Sequence, residues 1–224
     1  MKIIEQSARL MDPFNVAPQL ALYQIEYAGR KCYNSLDKMK EGSAAPFIKG
    51  LIRRGHTSPL EFGDIMVEIV TSRDVLAELT RHRLASYCVE SQRYVAEHGD
   101  IEFVRPLFYT EDLLDAKGWC ASMKWRDSME RAEEDYHYLL DKCGRPPEDA
   151  RKTLPNSAAT TLVMKANATE WRHILKLRLD EHAYPEMRQL MSLILKELQE
   201  KIPYLFDDYN NDGLIPPIKK EAAA

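Results

Sequence analysis

A chain of 224 residues buries about 70% of the surface its unfolded form exposes, enough for one large domain or two small ones. Its 45% hydrophobic and 29% charged residues are those of an ordinary globular protein and exclude a fibrous or disordered chain. A net charge of −4 argues against a general nucleic-acid binder, which needs a broad basic surface, so any anionic ligand must be met by local arginines.

In chain order, residues 1–10 read as a short strand, and 17–27 and 44–54 as helices, the second stopped by Gly55. From Phe62 to Thr71, Ile65, Val67 and Ile69 alternate with Asp64, Met66 and Glu68, the two-residue period of a half-buried strand. Thr71 or Ser72 caps a predicted helix over 73–83 with Val75, Leu76 and Leu79 on its apolar side. An irregular stretch is expected over 84–93. Residues 119–143 carry Met123, Met129, Ala132, Tyr136, Leu139, Leu140 and Cys143 near helical spacing. This longest helix stops at Gly144-Arg145-Pro146-Pro147. A short helix over 147–153 and a strand over 160–166 follow. Asn167 or Thr169 opens a helix to about His182, and Pro185 begins another to about Lys201. The polar, proline-interrupted residues 210–224 read as a loose tail. With no repeat or linker, these elements predict an α+β fold, a single domain over 1–209 with an antiparallel or mixed sheet flanked by helices.

No apolar run approaches the roughly 18 residues that span a bilayer, and Met1-Lys2-Ile3-Ile4-Glu5-Gln6 lacks the apolar core of a signal peptide. No membrane association is expected, and the cytoplasm is the expected compartment. Cys32, Cys88, Cys120 and Cys143 form no Cys-x-x-Cys pair and read as reduced thiols. His173 and His182 do not share a helical face and have no accompanying carboxylate-histidine motif, so no metal site is expected.

Arg81 and Arg83 lie two apart, about 200° around a helix, and so grip one phosphate together only where the helix ends. Beyond them, Ser91 offers a hydroxyl and Arg93 a guanidinium fork suited to a phosphate dianion. Read locally, Arg81, His82 and Arg83 equally suit a helix C-terminus complementing its dipole, and Arg178 a helix residue whose stem covers apolar surface.

The whole run Arg81-His82-Arg83-Leu84-Ala85-Ser86-Tyr87-Cys88-Val89-Glu90-Ser91-Gln92-Arg93-Tyr94 resembles the signature of flavin-dependent thymidylate synthases: Arg-His-Arg, seven residues, Ser, then Arg after one more. Gly55-His56-Thr57-Ser58-Pro59-Leu60-Glu61 resembles that family's His-x-(Ser/Thr)-Pro-x-Glu segment. Ala150-Arg151-Lys152-Thr153-Leu154-Pro155, and Asn167-Ala168-Thr169-Glu170-Trp171-Arg172-His173 through Arg178 to His182-Ala183, resemble its C-terminal half. The resemblance implies reductive methylation of dUMP at C5 to dTMP, with methylene-tetrahydrofolate as carbon donor, reduced FAD as hydride donor and NADPH as reductant. It places Ser58, Arg81, His82, Arg83, Val89, Asn167, Thr169 and His173 on FAD. It assigns Glu78, Arg81, Val89, Glu90, Ser91, Gln92, Arg93, Arg151 and Arg178 to dUMP. Arg178, at the pyrimidine edge, is the implied catalytic residue, a permanent cation favouring ionisation at N3. The resemblance also implies a homotetramer with shared active sites and no nucleophilic cysteine. Cys88-Val89 stand where members often carry Asn-Glu or Ser-Gln, Glu78 where Gln is frequent, and Thr169 where Arg is frequent. Two rival readings are a non-catalytic nucleotide- or flavin-binding protein on the same fold and a methyltransferase that uses Cys88 as its nucleophile.

Overall fold

The computed structural model describes residues 1–12, 16–95, 98–109 and 114–209; the predicted tail at 210–224 lies outside them. In chain order the elements are β1 (Lys2–Ile4), β2 (Ser7–Leu10), α1 (Ala17–Cys32), α2 (Ala44–Arg53), β3 (Asp64–Ser72), α3 (Arg73–Leu79), β4 (Ser86–Val89), β5 (Glu102–Val104), α4 (Ala121–His137), α5 (Pro147–Ala150), β6 (Ala159–Asn167), α6 (Ala168–Arg178), α7 (Pro185–Lys201) and α8 (Pro203–Phe206). The class is mixed α+β, as expected. The strands form two sheets rather than one, β1 beside β5 and a four-stranded sheet in the order β2-β3-β6-β4. Two compact units arise from interleaved segments: 1–6, 70–79 and 89–161 make the first, and 7–69, 80–88 and the chain from Leu162 onward make the second.

In the first unit β1 and β5 run parallel, with Lys2, Ile3 and Ile4 opposite Glu102, Phe103 and Val104. α4 buries Trp125, Met129 and Tyr136 at helical spacing, and these join Ile101, Phe103, Ala150 and Ala158 in one apolar cluster. The helix is entered through Cys120, whose buried thiol accepts from the Met123 N–H at 3.5 Å. It leaves through a wider π-type turn at Tyr138–Lys142.

In the second unit β3 carries the expected alternation: Ile65, Val67 and Ile69 are buried while Asp64 and Met66 are exposed. Trp171 of α6 is fully buried, and its indole N–H donates to the Ile65 carbonyl at 3.1 Å, so a large apolar ring enters the core with its polar atom satisfied. α7 buries Met187, Leu190, Met191, Ile194, Leu195 and Leu198 and packs on β2. α2 ends where predicted because Gly55 adopts φ 70°, a left-handed conformation that costs glycine no steric penalty.

α1 and α2 are locked by a buried polar knot. Arg30 Nε donates to Glu26 Oε1 at 2.6 Å with side chains 10% and 4% exposed. Ser43 Oγ donates to the same oxygen at 2.6 Å, and the Arg30 guanidinium lies 4.6 Å from the centre of the Phe47 ring.

Several predicted boundaries move. Residues 1–10 hold two strands rather than one, α1 continues past 27 to Cys32, and α3 stops at Leu79 rather than near Arg83. The stretch 84–93 is not wholly irregular, because Ser86–Val89 is drawn into the sheet beside β6. α6 stops at Arg178 rather than near His182: the Asp180 side chain accepts from the His182 N–H at 2.9 Å, giving the backbone a turn in place of another helical residue. β5 and α8, three and four residues long, were not predicted.

Glu26→Ala would leave Arg30 and the Ser43 hydroxyl buried without their carboxylate. We expect a loss of about 3–5 kcal/mol, read as a lower urea midpoint at unchanged slope. A loss within experimental error would show the knot to be dispensable.

Candidate active site

The second unit holds Ser58, Arg81, His82, Arg83, Asn167, Thr169, His173 and Arg178. Because α3 ends early, Arg81, His82 and Arg83 lie on a non-helical turn that leads into β4. The turn is fixed by the Tyr87 hydroxyl, which donates to the His82 carbonyl at 2.9 Å. Burial first, and the Glu170 carboxylate second, push the Tyr87 hydroxyl up to about 12, so it stays a donor throughout the physiological range. Both flanking guanidiniums face solvent while the His82 ring turns inward, 7% exposed.

His82 Nε2 accepts from Arg178 Nε at 3.0 Å. An arginine N–H only donates, so His82 Nε2 must carry its lone pair, and the ring is neutral with its proton on Nδ1. Burial, then the charge of Arg178, then His173, hold the imidazole down at about 4. The proposed catalytic cation therefore has a neutral imidazole as an acceptor.

At the other end of α6, Asn167 caps the helix, its side chain accepting from the Glu170 N–H at 2.9 Å. Thr169 Oγ1 donates to the Thr57 carbonyl at 3.2 Å, which ties the start of α6 to the turn carrying Ser58. His173 is exposed on the following turn of α6. Ser58 lines two cavities. One, of about 470 Å³, also takes in Cys32, Tyr33 and His56, with Tyr33 Oη and His56 Nδ1 2.7 Å apart. The other, of about 560 Å³, is an apolar groove walled by Tyr23, Tyr27 and Phe62. None of these four aromatics was singled out from sequence. The available signal was the spacing of Tyr23 and Tyr27, four apart on a helix yet both exposed, 55% and 45%.

These residues fit a flavin dinucleotide. Among the described residues no carboxylate is paired with Arg81 or Arg83, so both charges are available to a pyrophosphate. The groove beside Ser58 offers aromatic surface to a planar ring.

The first unit holds Glu78, Val89, Glu90, Ser91, Gln92, Arg93 and Arg151. Val89 ends β4, and the chain then turns. Glu90 N donates to the Thr161 carbonyl at 2.9 Å, and Ser91 Oγ accepts from Arg93 N at 3.3 Å. Arg93 Nε is engaged by Glu148 at 2.7 Å in an exposed ion pair. Arg151 is exposed on the turn after α5. Glu90 and Gln92 line a cavity of about 240 Å³ with Ile101, Thr160 and Thr161. Cys88 is exposed on β4, and among the described residues no imidazole bonds to it.

Residues 19–204 match the family model described as thymidylate synthase complementing protein. The flavin-dependent thymidylate synthase of Mycolicibacterium vanbaalenii is 34% identical, over 83% of this chain and 78% of its own length. That of Corynebacterium aurimucosum is 35% identical, over 83% of this chain and 79% of its own. A probable flavin-dependent thymidylate synthase of Mycobacterium phage D29 is 34% identical, over 82% and 81%. In fold, the chain is similar to a UMP/dUMP methylase from Streptomyces cacaoi solved with 5-Br dUMP, with a TM-score of 0.69, 23% identity, and coverage of 97% of this chain and 100% of that one.

The low His82 value has a thermodynamic consequence. Between about 4 and 6.5 the unfolded imidazole binds a proton that the folded one refuses, so this residue's contribution to stability falls as pH drops through that window. His82→Gln keeps a side-chain acceptor and cannot titrate. We expect its melting temperature to fall less than that of the unsubstituted protein between pH 6.5 and 4.5. Parallel curves would remove His82 from the pH response.

Proposed function

This chain belongs to the flavin-dependent thymidylate synthase family, and we propose that it methylates dUMP at C5 to give dTMP, with methylene-tetrahydrofolate as carbon donor, reduced FAD as hydride donor and NADPH as reductant. The observation that carries the reading is the family match over 19–204, which contains every residue assigned to flavin or nucleotide.

In this reading Arg81 and Arg83 hold the flavin pyrophosphate. Ser58, Val89, Asn167, Thr169 and His173 contribute hydrogen bonds, and His82 contributes the turn between the two arginines. Bound reduced flavin supplies the hydride that completes the methyl group. Arg178 acts on the pyrimidine. Its guanidinium, oriented by the bond to His82, stabilises negative charge at N3 as that nitrogen loses its proton. A carboxylate in place of His82 would oppose the charge of the group; the neutral imidazole orients it without doing so. Glu78, Glu90, Ser91, Gln92, Arg93 and Arg151 hold the nucleotide, the phosphate lying against Ser91 and Arg93. No step requires Cys88.

We further propose one catalytic domain over 1–209, because both compact units draw on interleaved stretches of the chain. The assembly we propose is a homotetramer with shared active sites, acting in the cytoplasm without a nucleic-acid or membrane partner. No described helix is long and apolar enough to cross a membrane.

Purified protein should show flavin absorbance that responds to dUMP, and should form dTMP from dUMP, methylene-tetrahydrofolate and NADPH. A colourless protein that also fails to take up added FAD would defeat the proposal. Arg178→Ala should nearly abolish turnover while FAD stays bound, and unchanged turnover would refute its role. Cys88→Ala should retain activity. Complete loss with the fold intact would favour the cysteine mechanism instead.

A further inference from the structure

We propose that Arg73, which neither the sequence motifs nor the family resemblance assigns, is a further nucleotide-binding residue whose guanidinium takes an oxygen of the pyrimidine nucleotide's phosphate. The inference rests on the nucleotide reading above and adds a residue to that site.

Arg73 opens α3, and its backbone is fixed by N–H donation to the carbonyls of Asn156 at 2.9 Å and Ala158 at 3.1 Å. Its side chain is half-buried but poorly used. Nη2 reaches only the Glu90 carbonyl, at a long 3.5 Å, and Nε is buried without any partner. The Glu90 carboxylate is the nearby acid, yet among the described residues no ion pair to Arg73 forms. A buried N–H of a charged group left unsatisfied carries the full desolvation penalty, which a purely structural arginine avoids by pairing.

Two further groups in the same unit are in the same condition. Ser72 and Thr160, each 2% exposed, have hydroxyl oxygens without partners. Thr160 lines a cavity with Glu90 and Gln92, both assigned to the nucleotide, and with Glu102. Arg151, likewise assigned to it, lies close enough for its charge to oppose that of Arg73. Two mutually repelling guanidiniums, one with a buried N–H left without a partner, beside the turn proposed to bind the nucleotide make an environment that a phosphate dianion relieves.

The test compares dUMP with deoxyuridine, which differs by the phosphate alone, each titrated into the FAD-loaded enzyme and followed by the flavin spectrum. Arg73→Gln should weaken dUMP roughly 10- to 100-fold, the loss of one or two charge-assisted hydrogen bonds, and leave deoxyuridine unchanged. Arg73→Lys keeps the charge without the fork and should lie between the two. A structural role predicts something different: both ligands weakened equally. That result, or dUMP affinity unaltered in either variant, overturns the proposal. Should Arg73→Gln fail to fold, the dUMP-to-deoxyuridine ratio in Arg73→Lys decides by the same criterion. Unsubstituted enzyme that binds FAD but neither ligand would sink the nucleotide reading itself, and the role of Arg73 with it.

Discussion

Much of the site's geometry depends on one hydrogen bond, from Arg178 Nε to His82 Nε2. It joins residues 96 positions apart and imposes conditions on both sides. The imidazole must be neutral to accept, and its burial favours that state. It is buried between two exposed arginines on the turn that follows α3, which ends at Leu79. α6 must end where it delivers Arg178, and Asp180 provides that stop.

The arginines divide according to what neutralises them. Arg30 is buried on Glu26, and Arg172 makes a two-pronged contact with Asp208 at 2.7 and 2.5 Å; these hold α1 and the segment after α8 in place. Arg81, Arg83 and Arg73 have no carboxylate partner among the described residues. A protein with an overall charge of −4 thus keeps a few guanidiniums unneutralised at the positions assigned to anionic ligands. Arg93, also assigned to the phosphate, is paired with Glu148, so the lack of a carboxylate does not by itself mark a binding arginine.

Local sequence was informative where local forces decide. The two-residue alternation of β3, the stop of α2 at Gly55 and the apolar spacing of α4 all read directly into structure. It misled where the deciding partner is distant. Nothing in Thr80-Arg81-His82-Arg83-Leu84 forbids a helix; the chain leaves it because Ser86–Val89 pairs at the sheet edge. α1 runs through Gly29, a residue that weakens helices, and glycine suits the position because a Cβ there would come within 2.7 Å of the Phe47 ring. β5 has only three residues and cannot display a period. At the site, the motif identified the arginines, whereas the bond between His82 and Arg178 and the unsatisfied Arg73 Nε became visible only through packing.

The ion pair between Arg93 and Glu148 gives the proposed phosphate site an internal rival. If the nucleotide phosphate binds Arg93 as proposed, it competes with Glu148 for the Nε side of the guanidinium. Being exposed on both sides, the resident pair is weak and screened by salt. In the proposed reading, a phosphate on Arg93 would therefore replace a pair that costs little to break.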